Sequence, residues 1–387
     1  MSPMPIPSHA EPVPRSRIHV LDFARLVAIL LMLQGHTMEA FVAPAAMDWN
    51  TPHWQIWGEI RGLTAPLFLL VSGAATVLAT RRNPEGRIPL RQYLHRVRTA
   101  LLVLAIGYLM VFPAARIADL RWVSAEGWRT FLQVNILQLN GVTLLLLTGL
   151  MALTRSARAH AAWSLALGLL ILLAAPLATR PDWFSRLPEG AAAYLSFAHG
   201  SLFPLFPGSA FMFLGVGLGT VLQEAPEGQR LRWFRLAALG AGLAALALSL
   251  AAGAVPANLL PAHDAYKVGW PSLFHRLGFS LLVLGALAAL AEAWPRFVQS
   301  LAPFGRKSLA IYVVHIALIY GTPWTPGLMG QPLHALTAAQ GIGLIPLVAA
   351  TTFGLVLLWD RIRNHSESAR TFAHLTTTFV LAYVLLF

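Results

Sequence analysis

The chain has 387 residues, of which 57% are hydrophobic and only 11% charged, with a net charge of +12 and no cysteine. A globular domain carries about 25% charged residues, so this composition excludes a soluble fold: lipid must be the solvent for so much apolar surface. The missing cysteines exclude disulfides, a thiol nucleophile and Cys-ligated metal. The basic excess lies in short loops between apolar runs, which fits membrane orientation rather than nucleic acid.

Residues 1–17 are Pro-rich and polar, without the apolar core of a signal peptide, and are expected to form a disordered cytosolic tail. Apolar stretches follow near 18–38, 63–80, 99–115, 134–154, 160–178, 203–222, 233–253, 275–293, 308–322, 339–358 and 371–387. Each is about 15–21 residues, close to the length that spans a ~30 Å hydrocarbon core. The pattern predicts an all-α polytopic membrane bundle of about eleven helices, forming one domain over 18–387. Most of the 28 Lys and Arg residues fall on the side of the N-terminus, including Arg81 to Arg98, Arg230 to Arg235 and Arg361 to Arg370. That asymmetry puts the N-terminus in the cytosol and the chain in a bacterial-type inner or plasma membrane. Trp residues near the span ends fit an interfacial belt. Gly215, Gly217 and Gly219 in "FLGVGLG" follow no strand, so the spacing predicts close helix packing rather than a dinucleotide site.

A charge at mid-membrane needs a partner or a function. The first stretch, "HVLDFARLVAILLMLQGHTMEAF", carries Asp22, Arg25, His36 and Glu39. Eleven helical steps separate Arg25 from His36, three turns plus about 20°, so both project from one face, ~16 Å apart along the axis. Asp22, three residues before Arg25, can neutralise it, and Glu39, three after His36, can orient the imidazole. The bland alternative is a structural ion pair, an interfacial histidine and a solvated glutamate. The aligned histidine favours chemistry, because an imidazole can take a proton from a hydroxyl or amine nucleophile.

"LDFARLVAILLMLQGH", with Arg25, ten intervening residues and His36, resembles the first-helix signature of the transmembrane acyltransferase superfamily. "LTAPLFLLVSGAA" (63–75), "RQYLHRVRTALL" (91–102), "ILQLNGVTLLLL" (136–147), "FPLFPGSAFMFLGVGLG" (203–219) and "FGRKSLAIYVVHIALIY" (304–320) follow in order. The ordered set most resembles the bacterial branch related to the heparan-α-glucosaminide N-acetyltransferase catalytic domain, with the acyltransferase-three branch second. The resemblance implies transfer of an acyl group, in particular acetyl, from cytosolic acyl-coenzyme A to a sugar hydroxyl or amine on the far side. It implies no tightly bound cofactor, a catalytic histidine and the option of a homodimer. Leu26 stands where the family usually has glycine after the arginine. In the lysosomal branch the catalytic histidine lies before the second span, which makes His53 in "TPHWQIWGEIRGLTAPLF" a rival to His36.

Other candidates carry two readings each. Arg96 and Arg98 end the densest basic run, which either anchors the inner interface or holds the phosphates of the donor. Asn135, Gln138 and Asn140 either glue helices together or line an acceptor pocket, where Glu39 would join them. The resemblance puts Ser72, beside Gly73, near the acyl path. Tyr312 and His315 share a helical face, so His315 is either a hydrogen-bonded structural residue or, by its fit to "SL-x-x-Y-x-x-H", a donor-side residue. No two histidines stand at helical metal-ligand spacing, so no metal is expected. The competing class is a transporter that binds a small anion or sugar-like solute at Arg25, although no internal repeat supports it.

Overall fold

The computed structural model describes residues 18–256, 259–328 and 334–365, with 367 and 371. Among the described residues the fold is all helical, with two isolated β-bridges and no strand. In chain order the helices are α1 (His19–Phe41), α2 (Pro52–Gly62), α3 (Thr64–Leu78), α4 (Leu90–Met110), α5 (Ala125–Leu132), α6 (Ile136–Leu153), α7 (Ala157–Ala178) and α8 (Trp183–Arg186). They continue with α9 (Glu189–Ala193), α10 (Leu205–Glu224), α11 (Arg230–Gly253), α12 (Ala265–Val268), α13 (Trp270–Ala293), α14 (Pro295–Gly305), α15 (Ser308–Tyr320) and α16 (Ala338–Asn364).

Among the described residues, eight helical segments are long and apolar enough to cross a membrane: α1, Pro52–Leu78, α6, α7, α10, α11, α13 and α16. The bent pair α14–α15, which turns by 58°, would make nine. The chain is thus a multi-pass membrane protein, with fewer qualifying segments than the eleven expected. Two causes account for the difference. The polar first turns of α4, with Arg91, His95, Arg96 and Arg98, make that helix too hydrophilic. The stretch 371–387, like the 1–17 tail, lies outside the described residues apart from Thr371.

Local sequence explains the boundaries. α1 is a largely apolar helix that ends at Phe41, where Val42 turns extended ahead of Pro44. α16 starts at a capping box, in which the Thr337 hydroxyl accepts from the Gln340 N–H and the Gln340 side chain accepts from the Thr337 N–H. Small residues set how closely the helices approach. A Cβ on Gly73 of α3 would sit 1.9 Å from the Met212 carbonyl oxygen of α10. One on Gly215 would sit 2.1 Å from the Leu70 carbonyl, and one on Gly219 2.3 Å from that of Ala74. The seam between α3 and α10 is therefore backbone on backbone, and Gly217 faces Leu165 of α7 instead.

α1 runs through the middle of the bundle, against α3, α14, α15 and α16. Gly305 at the end of α14 lies against the backbone of Asp22, where a Cβ would meet the carbonyl oxygen at 1.7 Å. α15 then turns away along α1, with Lys307 at its start paired to Asp360 of α16. Midway along α1, Ile29 packs in a buried apolar cluster with Ile311 of α15 and Val356 of α16, joined by Met32, Val314 and Phe353.

Candidate functional site

α1 positions polar groups at both of its ends. At the His19 end, Arg25 Nη1 donates to Asp22 Oδ1 at 3.2 Å, and Asp22 is only 6% exposed. The i, i+3 spacing on a continuous helix makes that pair. Both side chains line a cavity of about 390 Å³ together with Ala75 and Leu78 of α3, Gln223 of α10 and Arg230, the first residue of α11. Two of these groups are unsatisfied: Arg230 Nε and Gln223 Oε1 are buried without a hydrogen-bond partner. A buried donor and acceptor with nothing to bind mark a place where a polar ligand or water belongs.

At the Phe41 end, His36 Nδ1 lies 3.0 Å from the Tyr320 hydroxyl, at the close of α15. The His315 ring stands 5.5 Å from the His36 ring and 5.4 Å from that of Tyr312. His315 is fully buried, and its Nδ1–H donates to the Ile311 carbonyl at 2.9 Å, one helical turn back. That bond fixes the tautomer and leaves Nε2 as a bare acceptor, buried and without a partner. Glu39 does not orient the imidazole. Arg61 takes its carboxylate at 2.5 Å and lies along Gly35, while Trp57 Nε1 donates to Gln34 at 2.7 Å. Tyr320 also lines a second cavity, of about 430 Å³, shared with Phe112, Ser124, Glu126, Thr130 and Thr322.

Arg25, Ile29, Met32 and His36 follow one another at three- and four-residue steps, so they form a single face of α1. The structure keeps both ends on that face, but the space between them is filled by the apolar cluster around Ile29 rather than hollow.

The remaining candidates fall elsewhere. Arg96 Nη2 donates to the Thr76 carbonyl at 2.9 Å and to the Thr80 hydroxyl at 2.7 Å. It thus ties α4 to Thr76 of α3 and to Thr80 just past the end of α3; its Nε is buried without a partner, it lines neither cavity, and Arg98 is exposed. His160 of α7, 2% exposed and with neither ring nitrogen paired, faces the charges of Arg82 and Arg96. Ser72 is half-buried on α3. Asn135 precedes α6 without capping it, the Gln138 amide is fully buried and unpartnered against Gly107, and Asn140 Oδ1 is likewise unpaired. None of these four lines either cavity. His53 is exposed at the first turn of α2, with the Thr51 hydroxyl 3.4 Å from its Nε2.

Sequence reasoning missed Tyr320, Arg230, Gln223 and Arg61. Arg230 entered the sequence reading only within a basic run, as an orientation charge. Tyr320 lies 284 positions from His36, and no local periodicity reports such a contact.

A comparison with curated proteins finds no match. The family model for heparan-α-glucosaminide N-acetyltransferase, catalytic, matches residues 17–250, well over half of the chain. The matched region holds α1 and the cavity around Arg25 and Arg230, whereas Tyr312, His315 and Tyr320 lie beyond it. The chain belongs to the heparan-α-glucosaminide N-acetyltransferase catalytic-domain family.

Proposed function

We propose that this protein transfers an acetyl group from cytosolic acetyl-coenzyme A to a hydroxyl or amine of a sugar on the opposite side of the membrane, with His36 as the general base. The observation that carries this reading is the His36–Tyr320 pair at 3.0 Å, set on the same face of α1 as Arg25. An imidazole held by a hydroxyl, with a neutral histidine acceptor beside it, is equipped to accept a proton while an acceptor attacks the thioester carbon. The new bond joins the acceptor atom to the acetyl carbon, the C–S bond breaks, and the thiolate leaves with the proton from His36.

On the donor side the cavity at the His19 end is the better seat for the phosphates of coenzyme A than Arg96 and Arg98. Arg230 supplies a guanidinium with a free Nε there, and guanidinium forks match phosphate oxygens. The basic segments around this end support its placement in the cytosol. Arg230→Gln is expected to raise KM for acetyl-coenzyme A about 10-fold, the size of one lost charge-assisted contact of roughly 1.5 kcal/mol, with kcat changed far less. Steady-state kinetics at saturating acceptor check it.

The direct test uses the protein in lipid nanodiscs with acetyl-labelled acetyl-coenzyme A and glucosamine as the probe acceptor. Label recovered on the sugar supports the reading. Two cavities at opposite ends of a sealed bundle also suit a transporter. Solute that accumulates in proteoliposomes chemically unchanged, with no acetylated product, would favour that alternative.

A further inference from the structure

His36 does not line the cavity at the Phe41 end of α1, but Tyr320 does. Of the two residues, it is Tyr320 that an acceptor seated in that cavity would meet, and the Tyr320 hydroxyl stands one hydrogen bond from the imidazole. We infer that Tyr320 is the catalytic residue that touches the acceptor, passing its proton on to His36, and that the 430 Å³ cavity is the acceptor subsite. This rests on the acetyltransferase reading and adds to it a contact residue and a location that lie outside the region matched by the family model.

Three features support the assignment. The first is geometry: at 3.0 Å from His36 Nδ1 the Tyr320 O–H is placed to donate, so its oxygen lone pairs remain for the proton of an incoming hydroxyl or amine. The second is the character of the walls. Phe112 forms an aromatic side, stiffened by stacking on Trp324 at 6.2 Å and by an edge contact with Phe131 at 5.9 Å. Trp324 is itself held by donation from its indole N–H to the Ala115 carbonyl at 2.9 Å. Ser124, Thr130 and Thr322 also line the cavity and carry hydroxyls, and Glu126 adds a carboxylate, paired to Arg129 at 3.1 Å. An apolar face with a few convergent polar groups suits a small polyol ring, and the carboxylate suits one that carries an amine. The third is the bare Nε2 of His315 beside His36, an acceptor that favours the positive form of His36 once the proton arrives.

The step balances as follows. The acceptor proton moves to the Tyr320 oxygen while the Tyr320 proton moves to His36 Nδ1, and the acceptor atom bonds to the acetyl carbon. As the C–S bond breaks, His36 returns its proton to the thiolate. The products are the acetylated acceptor and free coenzyme A, and both side chains end as they began.

Tyr320→Phe removes the hydroxyl and keeps the ring. It is expected to lower kcat for acetylation of glucosamine about 100-fold, within the range for a lost proton-transfer group, with acetyl-coenzyme A binding within twofold of wild type. Phe112→Ala is expected to raise KM for glucosamine while leaving KM for acetyl-coenzyme A in place. Tyr320→Phe transfer within threefold of wild type, alongside an inactive His36→Ala, would overturn this inference and leave the acetyltransferase reading standing. A wild-type protein that acetylates nothing would instead end that reading. Should Tyr320→Phe not fold, a single-turnover proton inventory on the wild type decides: a curve bowed by two moving protons supports the relay, and a straight line rejects it.

Discussion

His36→Ala is expected to lower acetyl transfer by roughly 10²- to 10⁴-fold, the usual contribution of a general base, with the protein still folded and still binding acetyl-coenzyme A. Truncation removes the imidazole on which the Tyr320 hydroxyl rests, so both the proton acceptor and the orientation of Tyr320 are lost together. The outer pair Arg61–Glu39 and the bond from Trp57 to Gln34 do not involve the imidazole, so the end of α1 keeps its anchors. His53→Ala, measured alongside, is expected to stay within about threefold of wild type. Its ring is exposed, and its hydrogen-bond contact is the neighbouring Thr51. Transfer assays on the two variants under identical donor and acceptor concentrations separate the candidates. A dead His53→Ala with an active His36→Ala would move the base to α2.

Gly73→Leu is expected to abolish folding. Even a methyl at this position would stand 1.9 Å from the Met212 carbonyl oxygen, less than a contact distance by more than an ångström. The obstacle is backbone on a helix that itself touches α3 again at Gly215 and Gly219, so no rotamer change relieves it. Overpacking of an adaptable core costs about 1–3 kcal/mol, and a clash between two helix backbones exceeds that. Thermal unfolding in detergent and size-exclusion profiles check the outcome. Gly240→Leu serves as the control, since its position opens onto free space on α11. Equal melting temperatures for the two variants would show that the seam is looser than the structure has it.

How much was legible beforehand depends on the range of the interaction. α1, α6, α10 and α13 were readable because their apolar runs are continuous, and the alignment of Arg25 with His36 followed from helix geometry alone. The small residues of "FLGVGLG" spoke equally plainly, since close approach needs missing side chains. α4 was located too late along the chain, because its first turns are polar and hydropathy does not register a helix that projects beyond the hydrocarbon. α2 and α14 went unseen for a related reason: each has 11 residues and mixed polarity, too short and too wet to resemble a span. The partners of the candidate site were illegible in principle. Glu39 sat at the right spacing to serve His36, yet Arg61, from a separate helix, holds it. Arg96 was expected at the mouth of its span; it lies instead in the second turn of α4, and only the fold reveals that its Nη2 is held by Thr76 and Thr80.

The apolar cluster around Ile29 bears on more than the route of the donor. A continuous file of water between the two ends of α1 would short-circuit the ion gradients that the membrane maintains. Side chains such as those of Ile29, Ile311 and Val356 offer water nothing to bind, so the constriction stays dry. Under the proposed transfer, a seal of this kind holds back protons and small ions. The insulation of the cell would then survive each turnover.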